Sequence, residues 1–60
     1  DYIEPYYNLA IAYDAKGMLN KAIDYYKLTL SYKSDHAESH YNLALIYNSK
    51  GDIDNAFRHL

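Results

Sequence analysis

The fold is decided by residues 6–17, which read YYNLAIAYDAKG and return at residues 40–51 as HYNLALIYNSKG. The two stretches are 34 residues apart, from position 17 to position 51. Over the 60-residue chain, 10 of the 26 residue pairs at this offset are identical, whereas composition alone would give roughly two or three. The chain therefore contains two copies of one structural unit, the first at residues 1–36 and the second at residues 37–60.

Apolar residues within each copy follow the period of an α-helix. Tyr6, Leu9, Ala10 and Tyr13 are spaced i, i+3, i+4 and i+7, which places them on one helical face for packing. Similar spacing predicts further packing positions at Ala22, Ile23, Tyr26, Leu30, His40, Leu43, Ala44 and Tyr47. These stripes predict an all-α fold of tandem antiparallel helical hairpins. Its helices are expected near residues 2–16, 20–33, 36–50 and 53–60.

The expected helix ends carry the residues that commonly stop and start helices. Gly17 and Gly51 are predicted to end the first helix of each hairpin, because glycine adopts the left-handed backbone conformation without a steric penalty. Short polar side chains at helix starts can accept hydrogen bonds from free backbone N–H groups. On this ground the predicted caps are Asp1 with Glu4, Asp35 with Glu38, Asn20, and Asp54.

Composition narrows the possible functions. Without cysteine, the chain has neither a disulfide framework nor a thiolate metal site, which fits a reducing, intracellular and cytoplasmic location. A formal charge of -2 provides no basic footprint for nucleic acid or for an anionic membrane. No apolar run approaches the roughly 18 residues that a membrane helix needs. We therefore expect no nucleic-acid partner and no membrane insertion.

The chemistry-bearing residues do not form a recognisable active site. His36 and His40 are four residues apart beside Asp35, but the intervening sequence matches neither zinc-protease pattern. His40 is predicted to replace a packed aromatic residue, and His36 to be solvated near a helix start. Asp52 and Asp54 are interpreted as negative charges that stabilise the positive N-terminal end of the helix dipole. We therefore expect no catalytic residue, no metal site and no cofactor in this chain.

The order of these residues resembles the tetratricopeptide repeat, whose pattern runs aromatic, Leu, Gly or Ala, Tyr, Gly, Ala, aromatic. The residues that carry the resemblance are Tyr6, Leu9, Ala10, Tyr13, Gly17, Ala22, Tyr26, Leu43, Ala44, Tyr47, Gly51 and Ala56. It covers almost the whole chain and implies a fragment of a right-handed α-solenoid. Two departures are Ser34, where the family often has proline, and His40, which replaces an aromatic residue.

The chain stops within the second helix of its second repeat. The resemblance therefore implies a section of a longer array with an apolar face left open. Because each repeat is stabilised mainly by its neighbours, the isolated chain is expected to be marginally stable or to self-associate.

The resemblance also implies a function in protein–protein interaction, with partners bound on the concave face as extended peptides or helices. The concave positions carried over from the family are Glu4, Tyr7, Asn8, Ile11, Asp14, Glu38, Tyr41, Asn42, Leu45 and Asn48. Two other interpretations remain open. One is a structural spacer within a large assembly, and the other is a targeting region of an enzyme whose catalytic domain lies outside this chain.

Independently of the resemblance, the spacing of three of these residues also indicates an exposed surface. Tyr7, Ile11 and Asp14 are spaced i, i+4 and i+7, on a face directed away from the packing stripe. An aromatic and apolar stripe away from a core indicates a binding surface or contact with a neighbouring repeat. Tyr7 and Ile11 also occupy two positions that the carboxylate clamp of chaperone-binding members would need, so that clamp looks absent.

Asn8 and Asn42 occupy equivalent positions in the two copies. An amide both donates and accepts, so one asparagine per repeat could bind the backbone of an extended peptide. This resembles the asparagine ladder of some family members. The alternative is that these asparagines form hydrogen bonds between adjacent repeats.

Overall fold

A computed structural model describes residues 3–51 as three helices: α1 (Ile3–Ala15), α2 (Leu19–Tyr32) and α3 (Ala37–Ser49). The all-α prediction is confirmed, and each of these helices begins and ends within one residue of its expected bounds. The fourth expected helix, the predicted caps Asp1 and Asp54, and the Glu4 side chain lie outside what the structure describes. None of the three helices is long and apolar enough to cross a membrane.

Helix α2 lies at the centre and packs on both α1 and α3. Ala10 and Ala22 are fully buried, which allows α1 and α2 to approach closely. A single core cluster joins all three helices, formed by Ala10, Ala22, Ile23, Tyr26, Leu43, Ile46 and Tyr47. Most of the predicted packing stripe is thus confirmed.

Glycine ends helix α1 as predicted. Gly17 has a φ of +78°, and its N–H donates to the Asp14 carbonyl oxygen at 3.0 Å. The Met18 N–H donates to the Tyr13 carbonyl oxygen at 2.9 Å. These two bonds form the Schellman arrangement, which satisfies the last carbonyls of the helix. Gly51, with a φ of +79°, adopts the equivalent conformation after α3.

The predicted capping box of Asp35 with Glu38 is wrong. The N-cap of α3 is His36, whose Nδ1 accepts a hydrogen bond from the Ser39 N–H at 3.2 Å. The helix therefore begins one residue later than an Asp35 cap would require. The imidazole also packs on the ring of Tyr7, at 4.9 Å between centroids, so it gains an aromatic contact that an Asp35 cap would not make.

The predicted cap at Asn20 is also wrong. Helix α2 begins at Leu19, and its N-cap residue Met18 makes no side-chain capping bond. Asn20 instead accepts a hydrogen bond through Oδ1 from Lys50 Nζ at 2.7 Å. This contact joins the start of α2 to the end of α3, so Asn20 connects the two repeats.

Equivalent positions of the two copies differ in burial. Leu43 of α3 is fully buried, whereas its counterpart Leu9 of α1 is 41% exposed. The prediction that Leu9 packs in the core is therefore wrong. The physical reason is that α3 packs on α2, while none of the described helices covers the corresponding face of α1.

We expect Leu43→Ala and Leu9→Ala to differ strongly in their effect on stability. Truncating the buried Leu43 leaves a cavity and should cost about 2–5 kcal/mol. That is comparable to the total of about 3–5 kcal/mol that a core of this size supplies. Leu9→Ala should cost less than about 1 kcal/mol because its side chain is already partly hydrated. Urea unfolding followed by circular dichroism measures both, and equal losses would contradict this assignment of the core.

Candidate functional site

An open hollow of about 370 Å³ lies where α1 meets the start of α3. It is lined by Tyr7, Ala37, Glu38, Tyr41 and Asn42, and we refer to it as the Tyr7–Tyr41 hollow. Four of its five lining residues are predicted concave positions, and Ala37 is the addition. The hollow therefore combines one residue of the first repeat with four of the second.

Tyr7 lies at the seam between the repeats. Its ring meets His36 edge-on at 4.9 Å and Tyr26 at 5.9 Å between centroids. Its hydroxyl accepts a hydrogen bond from Asn42 Nδ2 at 3.3 Å. The expectation that Tyr7 faces away from the core is wrong, because its half-buried ring packs against the core cluster. One edge of Tyr7 nevertheless lines the hollow.

Beneath the hollow lies the hydroxyl of Tyr26, a residue with only 1% exposure. This hydroxyl donates to Asp14 Oδ2 at 3.5 Å. Burial raises the pKa of Tyr26 to about 12, and the negative charge of Asp14 acts in the same direction. A hydrogen bond from Asn42 opposes the rise. Asp14, Tyr26, Asn42 and Tyr7 thus form a polar network that spans both repeats.

The remaining concave positions present their side chains to solvent. Tyr41 is 62% exposed, Leu45 50% and Ile11 42%. Asn8, Glu38 and Asn48 are also exposed, whereas Asp14 and Asn42 are half-buried. The two equivalent asparagines therefore differ. Asn42 bonds to the adjacent repeat, as the structural alternative for this pair expects, whereas Asn8 remains available on the surface.

The two histidines are occupied by local hydrogen bonds. The prediction of a solvated His36 is wrong, since its side chain is only 15% exposed and caps α3. His40 Nε2 bonds to the Ser34 carbonyl oxygen at 2.7 Å. The two departures from the family pattern, Ser34 and His40, therefore contact each other. Among the side chains that the structure describes, no three histidines or carboxylates are grouped to hold a metal ion.

Sequence patterns missed three contributors to this site. Ala37 and His36 were missed because the start of α3 was placed one residue too early. The sequence did indicate a polar role for Tyr26, because a buried tyrosine, unlike a phenylalanine, usually needs a hydrogen-bond partner. Its partners lie on two other helices, so helical periodicity alone did not reveal them.

A helical hairpin of α1 and α2, with α3 packed on α2 and an open face across α1 and α3, defines a helical-repeat protein of the α-solenoid class. The family pattern described as the tetratricopeptide repeat matches residues 3–36 and 37–60. The chain therefore belongs to the tetratricopeptide repeat family, whose non-catalytic repeats generally mediate protein–protein interactions. Comparison with curated proteins and with solved structures finds no match to this chain.

We expect the two asparagines to respond differently to substitution. Asn42→Ala removes the bond to the Tyr7 hydroxyl and should lower the free energy of unfolding by about 0.5–1.5 kcal/mol. Asn8→Ala alters an exposed side chain and should stay within about 0.5 kcal/mol of the original chain. Urea denaturation compares the two variants directly. If Asn42→Ala left the free energy of unfolding unchanged, the stability of the seam would not depend on this amide.

Alkaline pH should destabilise the chain through Tyr26. In the unfolded chain the pKa of its hydroxyl is near the ordinary tyrosine value of 10.0, whereas burial raises the pKa in the folded state to about 12. The unfolded state therefore binds fewer protons between these values, so stability falls as pH rises. At about 1.4 kcal/mol per pKa unit, the loss approaches about 2–3 kcal/mol.

Tyr26→Phe is the control for this pH effect, because it removes the titrating group and retains the ring. The melting temperature should fall more steeply between about pH 9 and about pH 12 for the original chain than for the variant. Parallel curves would contradict the buried, protonated state of Tyr26.

Proposed function

We propose that this chain is a protein-interaction segment whose concave face, formed by α1 and α3, binds an extended peptide or a helix of a partner protein. The observation that carries the proposal is the exposure of Tyr41, Leu45 and Ile11 beside the Tyr7–Tyr41 hollow. Hiding such side chains from water on binding contributes about 25 cal/mol per Å² of apolar area. Exposed tyrosine is also among the residues enriched at interaction hot spots.

The seam beneath this face supports binding in a second way. Tyr7 is packed by His36 and Tyr26 and is bonded by Asn42. A wall of the hollow is therefore ordered before a partner arrives, which reduces the conformational entropy lost on binding. Asn8 supplies an exposed amide that can pair with the backbone of an extended peptide.

A structural spacer is the second candidate function, and Leu9 is the observation that favours it. Leu9 is exposed where its counterpart Leu43 is buried by a neighbouring hairpin. In a spacer, neighbouring repeats or chains would cover that face and the concave face alike. A third reading, in which the repeats target a catalytic domain outside this chain, uses the same concave face and makes the same binding prediction.

Selection of random peptides against the immobilised chain tests the proposal. The concave variant, Tyr41→Ala with Leu45→Ala, should bind the selected peptides about tenfold or more weakly, since hot-spot side chains contribute about 2 kcal/mol each to binding. The matched control is Tyr32→Ala with Leu28→Ala on α2, where the same residue types are 57% and 39% exposed. Fluorescence anisotropy measures the affinities of both variants.

The outcomes separate the two candidate functions. Peptides that depend on Tyr41 and Leu45 but tolerate the α2 control support concave binding. Peptides that depend on α2, or that bind both variants equally, contradict it. Asn8→Ala then tests the backbone-binding amide, with little change in stability expected.

A further inference from the structure

Charge is unevenly distributed between the helices. The two helices of the concave face, α1 and α3, contain Glu4, Asp14 and Glu38 but neither lysine nor arginine. Lysines follow both helices: Lys16 comes directly after α1, and Lys50, directly after α3, is bonded to Asn20. Lys21 of α2 has its Nζ 5.7 Å from the centroid of the Tyr13 ring. Of the described side chains on the concave face, Asp14 and Glu38 are acidic, and neither α1 nor α3 contributes a lysine or arginine to offset them.

The Tyr7–Tyr41 hollow is rich in hydrogen-bond acceptors. Glu38 contributes an exposed carboxylate, whose side chain is 74% exposed. The amide nitrogen of Asn42 donates to the Tyr7 hydroxyl, so its Oδ1 is the group of that amide that can accept from a ligand. The ring of Tyr41 adds an exposed aromatic surface next to both acceptors. A ligand for this hollow must supply donors, positive charge and a surface that can stack.

Arginine meets all three requirements. Its guanidinium has five donors and no acceptor, remains charged, and stacks on aromatic rings. We infer that the concave face binds a basic peptide segment, with an arginine in the Tyr7–Tyr41 hollow between the Tyr41 ring and the Glu38 carboxylate. This inference rests on the proposed function and specifies the chemistry of the partner. An acidic partner would meet repulsion from Glu38 and Asp14.

The spacing of the concave residues extends the inference to a second side chain. Leu45 follows Tyr41 by one helical turn, a rise of about 6 Å. Two residues of an extended peptide span about 7 Å, and side chains two apart point to the same side. An apolar residue two positions from the arginine would therefore contact Leu45 and Ile11. The inferred motif is an arginine and an apolar residue separated by one position, in either order.

Synthetic heptapeptides with blocked termini test this motif: Ser-Gly-Arg-Ser-Leu-Ser-Gly, its reverse Gly-Ser-Leu-Ser-Arg-Gly-Ser, and versions with lysine, citrulline or glutamate in place of arginine. Each is titrated into the full ¹⁵N-labelled chain by NMR. The arginine peptide should shift the amides of Glu38, Tyr41 and Asn42. It should bind about fivefold or more tightly than the citrulline peptide, which keeps the shape but lacks the charge.

Glu38→Gln identifies the source of this preference. It should remove most of the difference between arginine and citrulline, and added salt should do the same in the original chain. The matched control is Asp24→Asn, which removes one exposed carboxylate from α2 and should leave the preference intact. Both altered side chains are exposed, so both variants should remain folded, as circular dichroism verifies.

The remaining outcomes are distinguishable. Equal binding of arginine and citrulline peptides at the concave face overturns the basic-peptide inference but leaves the proposed function standing. Shifts confined to α2 contradict both. Absence of any shift with the arginine peptides, or tighter binding of the glutamate peptide, overturns the inference. Lysine binding as tight as arginine would contradict stacking on Tyr41.

Discussion

The packing of α2 against both of its neighbours is the constraint on which the rest of the structure depends. Tyr26 is the clearest example, because its buried ring belongs to the common core while its hydroxyl reaches Asp14 of α1. The amide of Asn42 in α3 lies close enough to influence the same hydroxyl. The Tyr26 side chain of α2 therefore connects to α1 and also to α3. A phenylalanine would retain the core contact but could not make this connection.

The same packing determines which surfaces remain for partners. Once α2 has buried one face of α1 and of α3, the faces left exposed carry Ile11, Tyr41 and Leu45 beside acceptor groups and acidic residues. Lys21 lies over the ring of Tyr13, and Lys50 is bonded to Asn20. The exposed faces of α1 and α3 are therefore separate from the core, except at Tyr7 and Asn42, which belong to the seam and also line the hollow.

The connection between the repeats departs from the family pattern in a coordinated way. Ser34 stands where proline is common, and its carbonyl is bonded by His40, which itself replaces an aromatic residue. Two residues later, His36 caps α3 and packs on Tyr7. Hydrogen bonds that involve two histidines thus order a segment that proline would otherwise restrain through its fixed φ. The position of Tyr7, and with it one wall of the hollow, depends on this connection.

The sequence by itself determined the 34-residue period, the all-α class, the bounds of three helices within one residue and the two left-handed glycines. These are properties of local backbone preference and of helical periodicity, which neighbouring residues control. Only the tertiary structure decided that His36 caps α3, that Leu9 is exposed while Leu43 is buried, and that Asn42 binds Tyr7. Tyr7 and Asn42 are far apart in the chain, and no local pattern encodes the distance between them.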